Sequence, residues 1–145
     1  MAFEETIQMV KYARRRDDRL VESIKQFLYL MPNVLFLKDY TDEVTGGAYV
    51  IVSREWERMY DLTREAAIGK NDFDLFPKQI ADARRTDEIH TLGFGRMVTK
   101  VDMVGTRYNA FKPTRVSLIP LKVGDEPRYS YLAGFTLPPY KAWEE

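Results

Sequence analysis

Ile68-Gly69-Lys70-Asn71-Asp72-Phe73-Asp74-Leu75-Phe76-Pro77 is the stretch on which the fold turns. It follows a short helical pattern over 64–68 that Thr63 can cap, its hydroxyl accepting a bond from an orphan amide of the first turn. Gly69 tolerates the left-handed angles that end such a helix. Asn71 and Asp72 read first as caps for the approach to the next helix. Phe73, Leu75 and Phe76 form an apolar knot before Pro77, and a longer helical pattern then runs over 78–92 to Gly93. Short and long helical pieces therefore follow one another with no strand between them.

Upstream, Ser53 caps one more helix, with Trp56, Met59 and Tyr60 at the three-to-four spacing of a buried face. Before it stands Ala48-Tyr49-Val50-Ile51-Val52, β-branched and aromatic, the mark of a strand. Val34-Leu35-Phe36-Leu37 is solidly apolar, as in a strand buried on both faces. A polar connection over 39–47 with a Gly46-Gly47 turn joins the two into a hairpin. Downstream, residues 97–103 alternate imperfectly, and 116–121 and 129–137 read as two further strands around a Gly124-Asp125-Glu126-Pro127 turn. The turn after the first of these three strands lies either near Gly105 or over 109–113. Pro113 favours the second position, because proline lacks a ladder donor.

Residues 3–30 contain neither glycine nor proline, and Pro32 stops the helix they form while biasing Met31 away from helical angles. Apolar residues fall at Phe3, Ile7, Val10, Ala13, Leu20, Ile24, Phe27 and Leu28, but every residue from Arg14 to Arg19 is charged. Either one helix of roughly 40 Å runs through, or the chain breaks near Arg16. The whole order predicts an α+β fold: one five-stranded antiparallel sheet, central helices on one face, and an N-terminal amphipathic helix that covers the other face or pairs with a second copy.

The chain has 145 residues, 45% of them hydrophobic, enough to build one domain with a real core. Lys plus Arg and Asp plus Glu both total 22, which argues against a nucleic-acid partner, since phosphate binding needs a basic excess. The run Arg14-Arg15-Arg16 is answered at once by Asp17-Asp18 and reads as a solvated helix face. There is no cysteine, which excludes disulfides, thiolate metal sites and a thiol-tethered cofactor. No signal-peptide pattern and no apolar run of membrane-spanning length appears. A cytoplasmic protein without a membrane partner is expected.

Several stretches resemble the PAS domain family. Leu30-Met31-Pro32-Asn33-Val34-Leu35-Phe36-Leu37-Lys38-Asp39 looks like the start of such a domain, and Val52-Ser53-Arg54-Glu55-Trp56-Glu57-Arg58-Met59-Tyr60 like its second strand and following helix. The decisive stretch 68–77 looks like the passage from the short helix into the long one. Asp87, Ile89 and Gly93 are similar to the end of that helix. Ser117-Leu118-Ile119-Pro120-Leu121 and Leu132-Ala133-Gly134-Phe135-Thr136 resemble the last two strands. The resemblance covers residues 30–137. It implies a PAS domain over 30–138, a helical extension over 1–29 for dimerisation or sheet covering, and a tail over 139–145.

The family resemblance implies a sensory, non-catalytic role in signal transduction, with a small-molecule ligand between sheet and helices and output through dimer or partner contacts. The alternative is a ligand-free interaction module with a filled core. Trp56, Met59, Phe73, Phe76, Ile80 and Leu118 are the candidates to line that space, and they read equally as plain core. Arg84, one turn after Ile80, is the candidate anchor for an anionic ligand, or else a solvated helix residue. Leu20, Ile24, Phe27 and Leu28 are the candidate homodimer contacts. The family's flavin–cysteine adduct is excluded without a cysteine. Haem is disfavoured because His90, the only histidine, falls beside the expected inward pair Ile89 and Leu92. No histidine cluster or acid–base pair offers a metal site or catalytic centre. No kinase, cyclase or DNA-binding region follows Gly134-Phe135-Thr136, so the chain is expected either to be part of a larger sensor with an output domain or to act on a signalling partner.

Overall fold

A computed structural model describes residues 3–42, 44–104 and 112–136. The chain order is α1 (Phe3–Leu30), β1 (Leu35–Asp39), β2 (Ala48–Val52), α2 (Arg54–Tyr60), α3 (Arg64–Ala67), α4 (Asp72–Leu75), α5 (Lys78–Phe94), β3 (Val98–Val104), β4 (Lys112–Leu121) and β5 (Tyr131–Thr136). The five strands form one sheet in the order β2-β1-β5-β4-β3, with every neighbouring pair antiparallel. First and last strands thus meet at the centre, which ties the chain's two β segments into one unit. The expected α+β architecture is the observed one.

Local chemistry explains where the helices begin. The Ser53 hydroxyl is buried, accepts from the Trp56 amide at 3.2 Å and from the Leu35 amide at 2.9 Å, and donates to the Asn33 carbonyl at 2.8 Å. One side chain caps α2 and fastens it to the entrance of β1. Thr63 caps α3, and Asn71 makes a reciprocal capping box with Asp74 at α4. The long helix α5 passes the expected stop at Gly93 and ends at Gly95, whose φ of 68° lies in the left-handed region.

Alternation along the strands divides the sheet into two faces. Phe36 and Lys38 of β1, and Tyr40 just after it, face the helices with Val116 and Leu118 of β4 and Leu132 of β5. Gly134 faces inward opposite Phe36, and a methyl group there would sit 2.2 Å from the phenyl ring. That close approach requires glycine. The outer face carries Leu35 beside Phe135, and Leu37 between Ile51 and Ala133, with Ile119 next in the row.

Pro113 lies within β4 and pairs with Met103, contrary to the turn expected over 109–113. Pro120 is also within the strand, opposite Leu132. Both are tolerated where, among the described residues, β4 has one neighbour at each: β5 pairs from Val116 onward, and β3 pairs only as far as Leu118. The other expected turn position near Gly105 and the expected 139–145 tail lie outside the described residues. α1 is continuous, without the break considered near Arg16.

Candidate functional site

The space between the helices and the inner sheet face is filled from two directions. On one side stands an aromatic stack. Trp56 is 1% exposed, with the rings of Tyr49 and Tyr60 centred 5.1 and 5.0 Å away, and Phe76 lies 5.0 Å from Tyr60. Edge and tilted contacts of this kind add to the area term of burial.

On the other side is a buried ionic network. Lys38 projects from β1 just after a register shift and is 1% exposed. Its ammonium meets Asp72 of α4 at 2.6 Å and the two oxygens of Glu88 of α5 at 2.7 and 2.9 Å. Three N–H donors thus find three carboxylate oxygens. Tyr49 donates to the other Asp72 oxygen at 2.5 Å, and Tyr40 donates to Glu88 at 2.5 Å. Two elements of the helical layer are fastened to the sheet through one cation. Burial opposes the charge of Lys38, but Glu88 and Asp72 outweigh it and hold the ammonium above its ordinary value. Burial also opposes ionisation of Asp72, yet Lys38 and Arg84 prevail and keep that carboxyl below the usual range. Glu88 goes the other way: burial pushes it up and Lys38 offsets this only in part. Burial, with a carboxylate beside each, raises Tyr40 and Tyr49.

Arg84 stands at the margin. Its guanidinium lies over Phe76 at 4.4 Å and Tyr60 at 5.2 Å, and it donates to the Tyr60 hydroxyl at 3.1 Å. Its nearest carboxylate oxygen, on Asp72, is 3.6 Å away. Beyond it, Lys100 of β3 pairs with Asp87 of α5. A cavity of about 40 Å3 remains, lined by Val34, Lys38, Trp56, Arg84, Lys100 and Leu118 among others. That is room for roughly three waters, far below the roughly 300 Å3 or more of a drug-sized site.

Of the residues singled out from sequence, Trp56, Arg84 and Leu118 line this cavity. Phe76 packs against Trp56 and Tyr60 beneath Arg84, and Met59 packs on the cluster of Tyr40, Val116, Leu118 and Leu132. Ile80 is half-buried and stands outside the lining. Phe73 is 41% exposed. In α4 the cap at Asn71 turns Asp72 toward Lys38, so the charged residue takes the inward position and the phenylalanine faces out. Ile89 is likewise exposed, whereas Ala81, Glu88 and Thr91 are buried, and His90 is exposed as expected. Leu20, Ile24 and Phe27 on α1 are 58, 47 and 64% exposed, while Leu28 is half-buried. The side chains of Phe3, Ile7, Val10 and Ala13 lie outside the described residues.

Lys38, Glu88, Tyr40 and Tyr49 were missed as site residues by sequence reasoning, Asp72 was read as a cap, and Tyr60 was read only as part of a buried helix face. One signal was available: Lys38 has the same strand parity as Phe36 and Tyr40, so an inward lysine required a buried carboxylate. Among the described residues no cluster suited to a metal ion is present, and no helix is long and apolar enough to cross a membrane.

No protein-family model matches the chain, and no curated protein matches it. Solved structures do. A Rhodobacter sphaeroides LOV protein matches with a TM-score of 0.61 and 22% identity over 83% of this chain and 66% of that one. VqmA bound to DPO matches with a TM-score of 0.64 and 17% identity, over 81% of this chain and 56% of that one. The PAS domain of Bordetella pertussis BvgS matches with a TM-score of 0.68 and 11% identity, over 87% and 91%. The chain spans about two thirds of the first and just over half of the second. Strand order, the helical layer and these likenesses agree: the chain has the PAS fold.

Proposed function

We propose that this chain is a non-catalytic signalling domain that works through protein contacts, pairing with a second copy through α1 and the outer sheet face. The carrying observation is the exposed stripe Leu20, Ile24 and Phe27 on α1, beside a sheet whose outer face is also apolar. Exposed apolar groups at helical spacing, together with half-buried Leu35, Leu37 and Phe135, match what a dimer would cover. The filled interior supports the same reading: Lys38, Asp72, Glu88 and the aromatic stack occupy the space where a large ligand would sit. In this reading residues 30–138 are the domain, 1–29 the contact extension, and the output is a partner protein or an attached domain in the cytoplasm.

Sedimentation velocity on the full chain tests it. A dimer is expected, converted to a monomer by Ile24→Glu with Phe27→Glu. A monomer at the highest soluble concentration, or a dimer indifferent to both substitutions, would refute the proposal.

A second reading, small-molecule sensing, is favoured by one observation: the remaining cavity is bordered by Arg84, whose guanidinium is 3.6 Å from Asp72 and donates to the Tyr60 hydroxyl. A solved structure of the same fold is that of VqmA bound to DPO.

A further inference from the structure

We propose that Glu57 is the positioning residue for α1: its carboxylate joins Tyr29 to the start of α3, and so fixes the direction in which Leu20, Ile24 and Phe27 are presented. The consequence for pairing rests on the protein-contact reading; the latch itself does not.

The body of the domain grips α1 at its end. From Asp17 to Phe27 every side chain is exposed, whereas Leu28 and Tyr29 are half-buried. Polar groups further back bond within the helix, Ser23 to the Arg19 carbonyl and Lys25 to Glu22. Tyr29 reaches outside it: its hydroxyl donates to one Glu57 oxygen at 2.6 Å. Arg64 lies over the same ring, its guanidinium 4.4 Å from the centre, and pairs with Glu65 at 3.3 Å. The bond to Glu57 lifts the Tyr29 hydroxyl above its ordinary value, as a proton held against an anion requires. After Leu30 no regular element intervenes before β1, so the latch stands at the joint where the helix direction is set.

Glu57 is itself held. Its other oxygen accepts from the amide of Arg64, the first residue of α3, at 2.8 Å. Its backbone carbonyl accepts from the amides of Asp61 and Leu62 at the end of α2. Asp61 adopts a φ of 53°, in the left-handed region, which turns the chain sharply and brings α3 back beside Glu57. The two carboxylate oxygens thus serve two different elements. The neighbouring Trp56 is buried against the Tyr60 ring, so α2 carries the interior stack and the latch on one short helix.

Leverage makes a single bond matter. Leu20 stands nine residues before Tyr29, about 14 Å along the helix axis. A tilt of about 10° at the last turn would carry Leu20 sideways by about 2 Å, enough to lose its contacts with a facing side chain.

The test uses Tyr29→Phe, which removes the hydroxyl and keeps the ring, and Glu57→Gln, which keeps the shape and removes the charge and one of the two acceptors. The chain has no cysteine, so Gln26→Cys with Gln79→Cys places one nitroxide on α1 and one on α5 without ambiguity. Distance distributions between the labels are recorded by pulsed electron resonance with Ile24→Glu and Phe27→Glu also present, so that α1 is read unpaired. A narrow distribution is expected, at least about twofold broader with either latch variant and no broader with both. Such a bond is worth about fivefold in the ratio of held to released helix. Each copy contributes one α1, so Tyr29→Phe in the chain with Ile24 and Phe27 intact should weaken pairing in sedimentation by up to about 25-fold. Equal widths in parent and variants, or broadening that adds when both are combined, would overturn the latch. Broadened distances with unchanged pairing would overturn its role in presenting the stripe. A monomeric parent would refute the pairing reading alone, with the distances still deciding the latch.

Discussion

Replacing Lys38 with methionine should be among the most damaging single substitutions available in this domain. Methionine preserves most of the side chain's length and apolar stem while removing the ammonium. Two carboxylates, 5% and 3% exposed at the residue level, would then keep only their tyrosine donors, with Arg84 3.6 Å from Asp72 as the nearest cation. Removing one partner of a buried ion pair typically costs about 3–5 kcal/mol, because the remaining charge is left without compensation. A domain's whole stability is about 5–15 kcal/mol, so the variant should be marginal. With a urea slope of about 2 kcal/mol/M, a loss of 4 kcal/mol moves the unfolding midpoint down by about 2 M. Far-ultraviolet circular dichroism during urea titration reads this directly. Adding Glu88→Gln to Lys38→Met should recover part of the loss by removing one stranded charge, giving a coupling well above the error of a double-mutant cycle. A loss below 1 kcal/mol for Lys38→Met, or additive effects of the two changes, would refute the network as described.

Two further outcomes follow from the same core. Burial raises the Tyr40 and Tyr49 hydroxyls above their ordinary 10.0, and Lys38 is raised above 10.5. Groups raised by folding give stability that is complete below the unfolded value and lost as pH rises through the folded one, so stability should fall from about pH 10 upward, with tyrosinate absorbance appearing at the unfolding transition. Trp56→Ala should cost about 3–5 kcal/mol, as for large aromatic truncations in cores, whereas Phe73→Ser should stay within about 0.5 kcal/mol. Equal losses at the two positions in urea titrations would mean that α4 is rotated from the orientation described.

The decisive stretch 68–77 shows how far local chemistry reaches. Gly69, Asn71 and Pro77 marked the helix boundaries correctly because turns and caps are settled by neighbouring atoms. The facing of α4 was misjudged because hydrophobicity assigns Phe73 inward and Asp72 outward, and only the presence of Lys38 reverses them. The same limit applies on α5, where Arg84 and Glu88 lie on the inward stripe with Ala81 and Thr91 while Ile89 is exposed.

Sequence by itself determined the order of the strands and of every helix except α4, which it read as an apolar knot, together with the Ser53, Thr63 and Asn71 caps, the hairpin of the first two strands and the α+β class, since each depends on contacts a few residues apart. It also ruled out cysteine chemistry. Tertiary structure alone decided that β1 and β5 meet at the sheet centre, that Pro113 and Pro120 sit where, among the described residues, β4 has a single neighbour, and that Lys38 gathers Asp72 and Glu88 from 34 and 50 residues away. The physical reason is that a buried charge is stable only beside its counter-charge, and which charges become neighbours is a property of the packed chain rather than of any window along it.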